Sequence, residues 1–400
     1  MNRKRRVLIT GHGSVSSLDN SLSSEVDFYN ALLEASPEAE CGLSTSIRRI
    51  LDLHSDRFIP QGQLRRLDRL CQMALIASQK GLASAQLTIG PQIAERSGIV
   101  FNNCFGPLQS TETYVSKFIR EGVKKAPAGL FPYTVVSVAT GLVTMNTKAL
   151  GTNSTVSGAN SVCYGLDAIR QGTDDTMLVG GCDEITSSLA SWFQHAGYFD
   201  AWTESLSSSN GSGSTPGSTF KLGEGAATLI LEESASALGR GAQPLAEVID
   251  YGCAHPLRSP HPYFVPAECI EAAILKALAN SGVQPEQIGL VVSGANGFQR
   301  LDEAEGEALN RVFPGSHLPP AIHVKQSIGE TLGASGVFSV IVAAEALHRR
   351  TLPAALTRNV HGALPASAPV VSDVEFALVN CYEFGGNINS IVVKKYEPAS

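Results

Sequence analysis

The chain has no apolar run approaching the length of a membrane span, which needs about 18–20 residues. Its basic start, MNRKRR, leads into VLITGHG, a short β-branched run ended by glycine. That run lacks the longer apolar core and the small-residue cleavage site of a secretory signal, so a cytoplasmic protein is expected. Metal-ligand spacing is missing too. The eight cysteines (Cys41, Cys71, Cys104, Cys163, Cys182, Cys253, Cys269 and Cys381) form no Cys-x-x-Cys and no cysteine–histidine cluster. Several lie in apolar runs, where cysteine packs as a small hydrophobe. Reduced thiols are expected, with neither metal nor cofactor. Excess positive charge is also absent. Thirty Lys and Arg against 37 Asp and Glu leave a net charge of −7, which argues against a nucleic-acid partner.

What is present builds a large core. Of 400 residues, 43% are hydrophobic and 17% charged, a globular composition. Short apolar runs at Val7–Thr10, Gly98–Phe101, Met177–Val179, Ala227–Leu231, Leu245–Ile249, Leu290–Val292, Phe376–Val379 and Ile391–Val393 read as buried strands. Helical patterns lie between them. Leu67, Leu70, Cys71, Ala74 and Ser78 share one face, as do Ile270, Ala273, Ile274, Ala277 and Leu278, with Gly282 as a stop. Ala334–Arg349 is small and aliphatic throughout, as a helix buried on all sides would be. The alternation predicts an α/β fold with covered sheets. The Ser/Gly-rich stretch Ser205–Thr219 reads as a surface loop.

Several motifs carry a resemblance. They are VLITGHGSVS at Val7–Ser16, Asp68-Arg69 opening a helix, Phe131–Gly141, Gly180–Glu184, Gly223–Ala226, Gly294–Glu305, VKQSIGETLGASG at Val324–Gly336, and Phe384–Gly386. In order and spacing they resemble the β-ketoacyl carrier-protein synthases over nearly the whole chain. The resemblance implies the thiolase fold, a five-layered αβαβα α/β architecture built from two similar halves, here 1–250 and 251–400, packed as one unit. It implies no cofactor and no metal.

The family's chemistry is a decarboxylative Claisen condensation by a cysteine at a helix N-terminus and two histidines. Aligned on the motifs, this chain carries Asn160 for the cysteine, Asn296 for the first histidine and Glu330 for the second. Asparagine is no nucleophile. A carboxylate cannot donate to a developing oxyanion. Lys325, five residues before Glu330, is a candidate partner: either a structural Lys325–Glu330 pair holds an idle site together, or Glu330 is a repurposed acid/base. The segment Gly151–Gly172 is shorter than the family's, so Ser157, Ser161 or Cys163 could also approach the nucleophile position. Cys163 is then either a packing residue or a displaced nucleophile. No partner spacing makes His12, His195 or His323 catalytic.

Losing all three groups resembles the chain length factors of type II polyketide and aryl polyene systems. Those subunits pair with an active ketosynthase and shape the cavity for the growing chain, although the commonest carry Gln where Asn160 stands. The resemblance implies a heterodimer with an active ketosynthase and an acyl carrier protein as partner. It also matches Thr111 to the end of the acyl tunnel at the dimer interface, and Phe384 to a mobile phenylalanine at the site's mouth. Two other readings stay open: an active condensing enzyme using Cys163 with Asn296, and a pure scaffold subunit.

Overall fold

The computed structural model describes residues 4–18, 27–34, 46–158, 160–199, 220–257, 262–313, 318–359, 362–363 and 370–398; the stretch 205–219 lies outside them. One twelve-stranded sheet runs through the molecule. Its strands are β1 (Val7–Val15), β2 (Ser97–Asn102), β3 (Asn153–Val156), β4 (Thr176–Asp183), β5 (Gly225–Glu233), β6 (Ala246–Ala254), β7 (Ile288–Val292), β8 (Ala321–Ile322), β9 (Thr357–Asn359), β10 (Gly362–Ala363), β11 (Phe376–Tyr382) and β12 (Ile388–Lys395). The order is β10-β9-β8-β7-β11-β12-β6-β1-β5-β4-β2-β3. Pairing is mixed: β2–β4 and β7–β11 are parallel, β1–β5 and β11–β12 antiparallel.

The helices sort into layers around this sheet. Helix α1 (Arg69–Ser84) covers β1, β5 and β4 from one side. Further helices are α2 (Leu108–Glu121), α3 (Val138–Thr147), α4 (Ser161–Gln171), α5 (Ser187–His195), α6 (Ala267–Ser281), α7 (Gln299–Val312) and α8 (Ser335–Arg349). Helix α6 lies on β6 and β12, its apolar face buried, and it ends at Gly282 with φ 70. Helix α4 packs on β4, β2 and β5, and helix α8 touches strands from β1 and β5 to β11 and β12. Ser335 to Leu347 is buried without a break, because α8 has sheet on two sides. The layering is therefore α/β/α/β/α, as the resemblance implies.

Strand β1 corrects one expectation. The run was expected to stop at a glycine turn, but it continues to Val15. A Cβ on Gly11 would meet the Ala85 backbone nitrogen at 2.4 Å, and one on Gly13 the Ala77 carbonyl oxygen at 2.2 Å. These glycines let α1 and the chain just after it press against the strand. Two motifs distant in sequence also meet: Arg69 donates to both carboxylate oxygens of Glu224, at 3.1 Å from Nε and 2.6 Å from Nη2. The expected boundary between 250 and 251 falls within β6, a single strand that pairs with β1 on one side and β12 on the other.

Among the described residues, no single helix is long and apolar enough to cross a membrane. Helix α2, the turns after it and α3 carry exposed apolar side chains: Val115, Phe118, Ile119, Val123, Phe131 and Met145. Strand β3 ends the sheet beside them, with no further strand on its outer edge among the described residues.

Candidate functional site

The chemistry-bearing motifs converge where the two halves meet. Asn160 caps α4, its Oδ1 accepting from the Val162 N–H at 2.9 Å. The helix needs such a cap, and a short amide serves it. Asn160 is buried, and its Nδ2 finds no nitrogen or oxygen partner among the described residues, only the Cys381 thiol beside it. That nitrogen lies against Gly336: a Cβ there would come within 2.5 Å of it.

Glu330 sits at the other side with no exposed surface. Its Oε2 accepts from Lys325 Nζ at 2.9 Å and Asn296 Nδ2 at 3.0 Å. Its Oε1 accepts from the Leu332 N–H at 3.0 Å and from the Ser335 hydroxyl. Lys325 is buried as well. Burial works against its charge, but the Glu330 carboxylate outweighs it and holds the ammonium above its ordinary value. Asn296 belongs to a turn gripped from below. Asp302 accepts from the backbone of Asn296 and Gly297, at 3.0 and 3.1 Å. Glu305 accepts from the backbone of Gly294 and Ala295, both at 3.0 Å.

More buried carboxyls surround this pair. Asp183 accepts from the Cys104, Phe105 and Gly333 N–H groups at 2.8, 3.0 and 2.9 Å, joining the two halves. Burial raises its pKa to about 7 against those hydrogen bonds. Glu383 accepts from Asn102 Nδ2 at 2.9 Å. It too is raised to about 7, chiefly by burial, opposed by Asn102 and Lys325 and reinforced by the Glu330 charge. Sequence reasoning missed Glu383. The signal was a charged residue directly after Phe376–Tyr382, a strand buried at every position.

Cys163 lies two residues inside α4 and is buried. Burial pushes its thiol well above the ordinary value, and its nearest described polar partner is Asn389 Oδ1 at 4.0 Å. Such a thiol stays protonated, and the thiolate is the nucleophile. Phe384 is half-buried in an aromatic cluster. Its ring centroid lies 5.3 Å from Phe105, 5.4 Å from Tyr263 and 5.9 Å from both Trp192 and Phe193. Thr111 is half-buried on α2, apart from this convergence. Residues 111, 115 and 118 share a helix face, so Thr111 heads the apolar stripe of Val115 and Phe118. His12 is buried with Nε2 2.6 Å from Glu345. His195 is tied to the Ser191 carbonyl. Among the described residues, no cluster of three or more His, Cys, Asp or Glu could hold a metal ion.

The site offers a buried ammonium paired with the Glu330 carboxylate, further buried carboxyls at Asp183, Glu305 and Glu383, and a buried thiol, with asparagine at two positions. It can hold itself together. Among the described residues, the side-chain donors at Lys325 and Asn296 are engaged by Glu330.

Residues 4–237 match the family model described as beta-ketoacyl synthase, N-terminal domain, and residues 245–359 match its C-terminal domain. The chain is 27% identical to a 3-oxoacyl-[acyl-carrier-protein] synthase 2 of Synechocystis sp., over 98% of this chain and 99% of the relative. It is 26% identical to the synthase of the same name in Vibrio cholerae, over 98% and 99%. Among solved structures it resembles the ishigamide ketosynthase/chain length factor at 25% identity, TM-score 0.82, covering 99% of this chain and 100% of that one. A beta-ketoacyl synthase from Burkholderia phymatum shares the fold at TM-score 0.80 and 22% identity, over 98% and 100%.

Proposed function

The chain belongs to the β-ketoacyl synthase family, and from that premise we propose that it is a subunit without condensing activity of its own. In this reading it is the chain length factor of a heterodimer, serving a cytoplasmic pathway that elongates a polyketide, polyene or fatty acyl chain on an acyl carrier protein. The observation that carries the reading is the bond between Glu330 and Asn296, the two residues that the motif alignment sets at the family's histidine positions: a buried carboxylate takes up the asparagine's amide. Removing hydrogen-bond donors aimed at an oxyanion costs about 3–4 kcal/mol each in related chemistry, and here the donors are already engaged. The solved ketosynthase/chain length factor at 25% identity supports a paired assembly. So do the apolar stripe on α2 and α3 and the free edge of β3, which suit a protein partner.

The purified chain, incubated with acyl and malonyl carrier protein, is expected to show no acyl adduct by mass spectrometry. A stoichiometric adduct on Cys163, lost in Cys163→Ala, would establish the alternative reading of an active enzyme using Cys163 with Asn296. That alternative asks a buried, protonated thiol to attack, so we rank it second. Co-expression with an active ketosynthase should give a 1:1 complex.

Thr111 and Phe384 are our candidates for tunnel end and gate. A bulky residue at the head of the α2 stripe would fill space meant for the last carbons, each buried methylene being worth about 0.8 kcal/mol. Thr111→Trp should therefore shift the pair's products to shorter chains. An unchanged distribution from an assembled complex would favour a pure scaffold.

A further inference from the structure

The donors around Glu330 are each oriented by a contact that does not involve Glu330. Lys325 Nζ is held by the Gly294 carbonyl at 3.0 Å. Asn296 Oδ1 accepts from the Phe298 N–H at 3.0 Å, which turns Nδ2 toward the carboxylate. The Ser335 hydroxyl oxygen accepts from the Thr331 N–H at 3.0 Å, leaving its proton for Glu330. Leu332, whose N–H completes the set, has φ 53, a left-handed conformation unusual for leucine. Three segments, the turn after β7, the 325–332 stretch and the start of α8, thus build a cradle of four donors, and three of the four side chains and groups are also held by contacts other than Glu330. Buried donors in such number call for an anion with two oxygens.

We propose that Asn296, Lys325, Leu332 and Ser335 form a carboxylate-binding site that Glu330 fills from within, and that shortening residue 330 opens it to a free small carboxylate. The intact subunit is then closed at this position to any carboxylate-bearing acyl unit, because its own side chain is the ligand. For its biological meaning this rests on the non-condensing reading above. Its test needs neither ketosynthase nor carrier protein, so either idea can fail while the other stands.

Formate is the probe, since it supplies the two oxygens and their carbon without the linking methylenes. The purified Glu330→Gly variant should melt well below the unaltered protein. Sodium formate should restore at least half of the lost melting temperature in a saturable manner, while sodium chloride at equal concentration should not. The unaltered protein, already occupied, should show no formate effect beyond chloride, and neither should Glu330→Gly combined with Lys325→Met, which lacks the ammonium. Equal effects of formate and chloride on Glu330→Gly, or equal formate effects on the single and double variants, would overturn the proposal. If Glu330→Gly does not fold on expression, refolding from urea decides. Recovery in formate but not chloride supports the site, and equal or no recovery in both rejects it.

Discussion

Asn160 and Glu330 stand on opposite sides of one site and are bonded in different ways. Asn160 caps α4 with its oxygen, and its buried amide nitrogen has no nitrogen or oxygen partner among the described residues, only the Cys381 thiol beside it. Glu330 has all of its oxygens engaged, by an ammonium, an amide, a backbone N–H and a hydroxyl. The first serves a helix end. The second balances a buried ammonium and takes up four donors that come from three segments. A polar group in a protein core is inexpensive to lose when it stands alone and costly when it balances a buried charge.

The largest expected effect comes from splitting that charge pair. Glu330→Ala or Lys325→Met alone should each cost about 3–5 kcal/mol, because each strands a buried ion. The double variant Lys325→Met/Glu330→Ala should cost much less than the sum. Urea denaturation of all four proteins measures the coupling, and additive losses would mean that the pair contributes nothing as a pair.

A middle-sized effect concerns pH. The fold raises Glu383 from 4.5 to about 7, so it favours the protonated form. The stability this contributes is present below about pH 4.5 and is lost as pH rises through about 7. Asp183, raised from 3.8 to about 7, acts in the same direction. Glu383→Gln keeps an acceptor for Asn102 and removes the titration. It should flatten the decline in melting temperature across that window, and a slope identical to the unaltered protein's would show that Glu383 is ionised throughout.

The smallest effect should be at Asn160. Asn160→Ser retains an N-cap oxygen and removes the buried amide, so stability should stay within about 0.5 kcal/mol of the starting protein or rise. A loss comparable to that of Glu330→Ala would erase the contrast between the two positions.

Much of the architecture was legible because it rests on strong local signals. All eight apolar runs read as strands are strands, and α8 could be read as a helix buried on all sides because small and aliphatic residues fill most of it. Strand β3 was missed: Asn153-Ser-Thr-Val156 is polar, as an edge strand can be. Glycines at 11 and 13 looked like a turn, because sequence cannot distinguish a glycine that bends the chain from one that admits a neighbouring helix. The proximity of Lys325 and Glu330 could be read from a spacing of five residues. The cradle could not, since Asn296 and Ser335 arrive from segments that only the tertiary fold brings together. Asp183 and Glu383, distant in sequence from Glu330, likewise enter the site through the packing of the two halves.

The outer edge of β3 carries a consequence for how the protein is made. A strand that ends a sheet offers its backbone groups to any other strand in reach, and here an apolar stripe lies beside it. Chains synthesised faster than a partner can cover them would template one another into aggregates or be cleared by proteases. If the pairing proposed above holds, the supply of the partner would set the lasting amount of this chain, and balanced synthesis of the two would follow from the edge of a sheet.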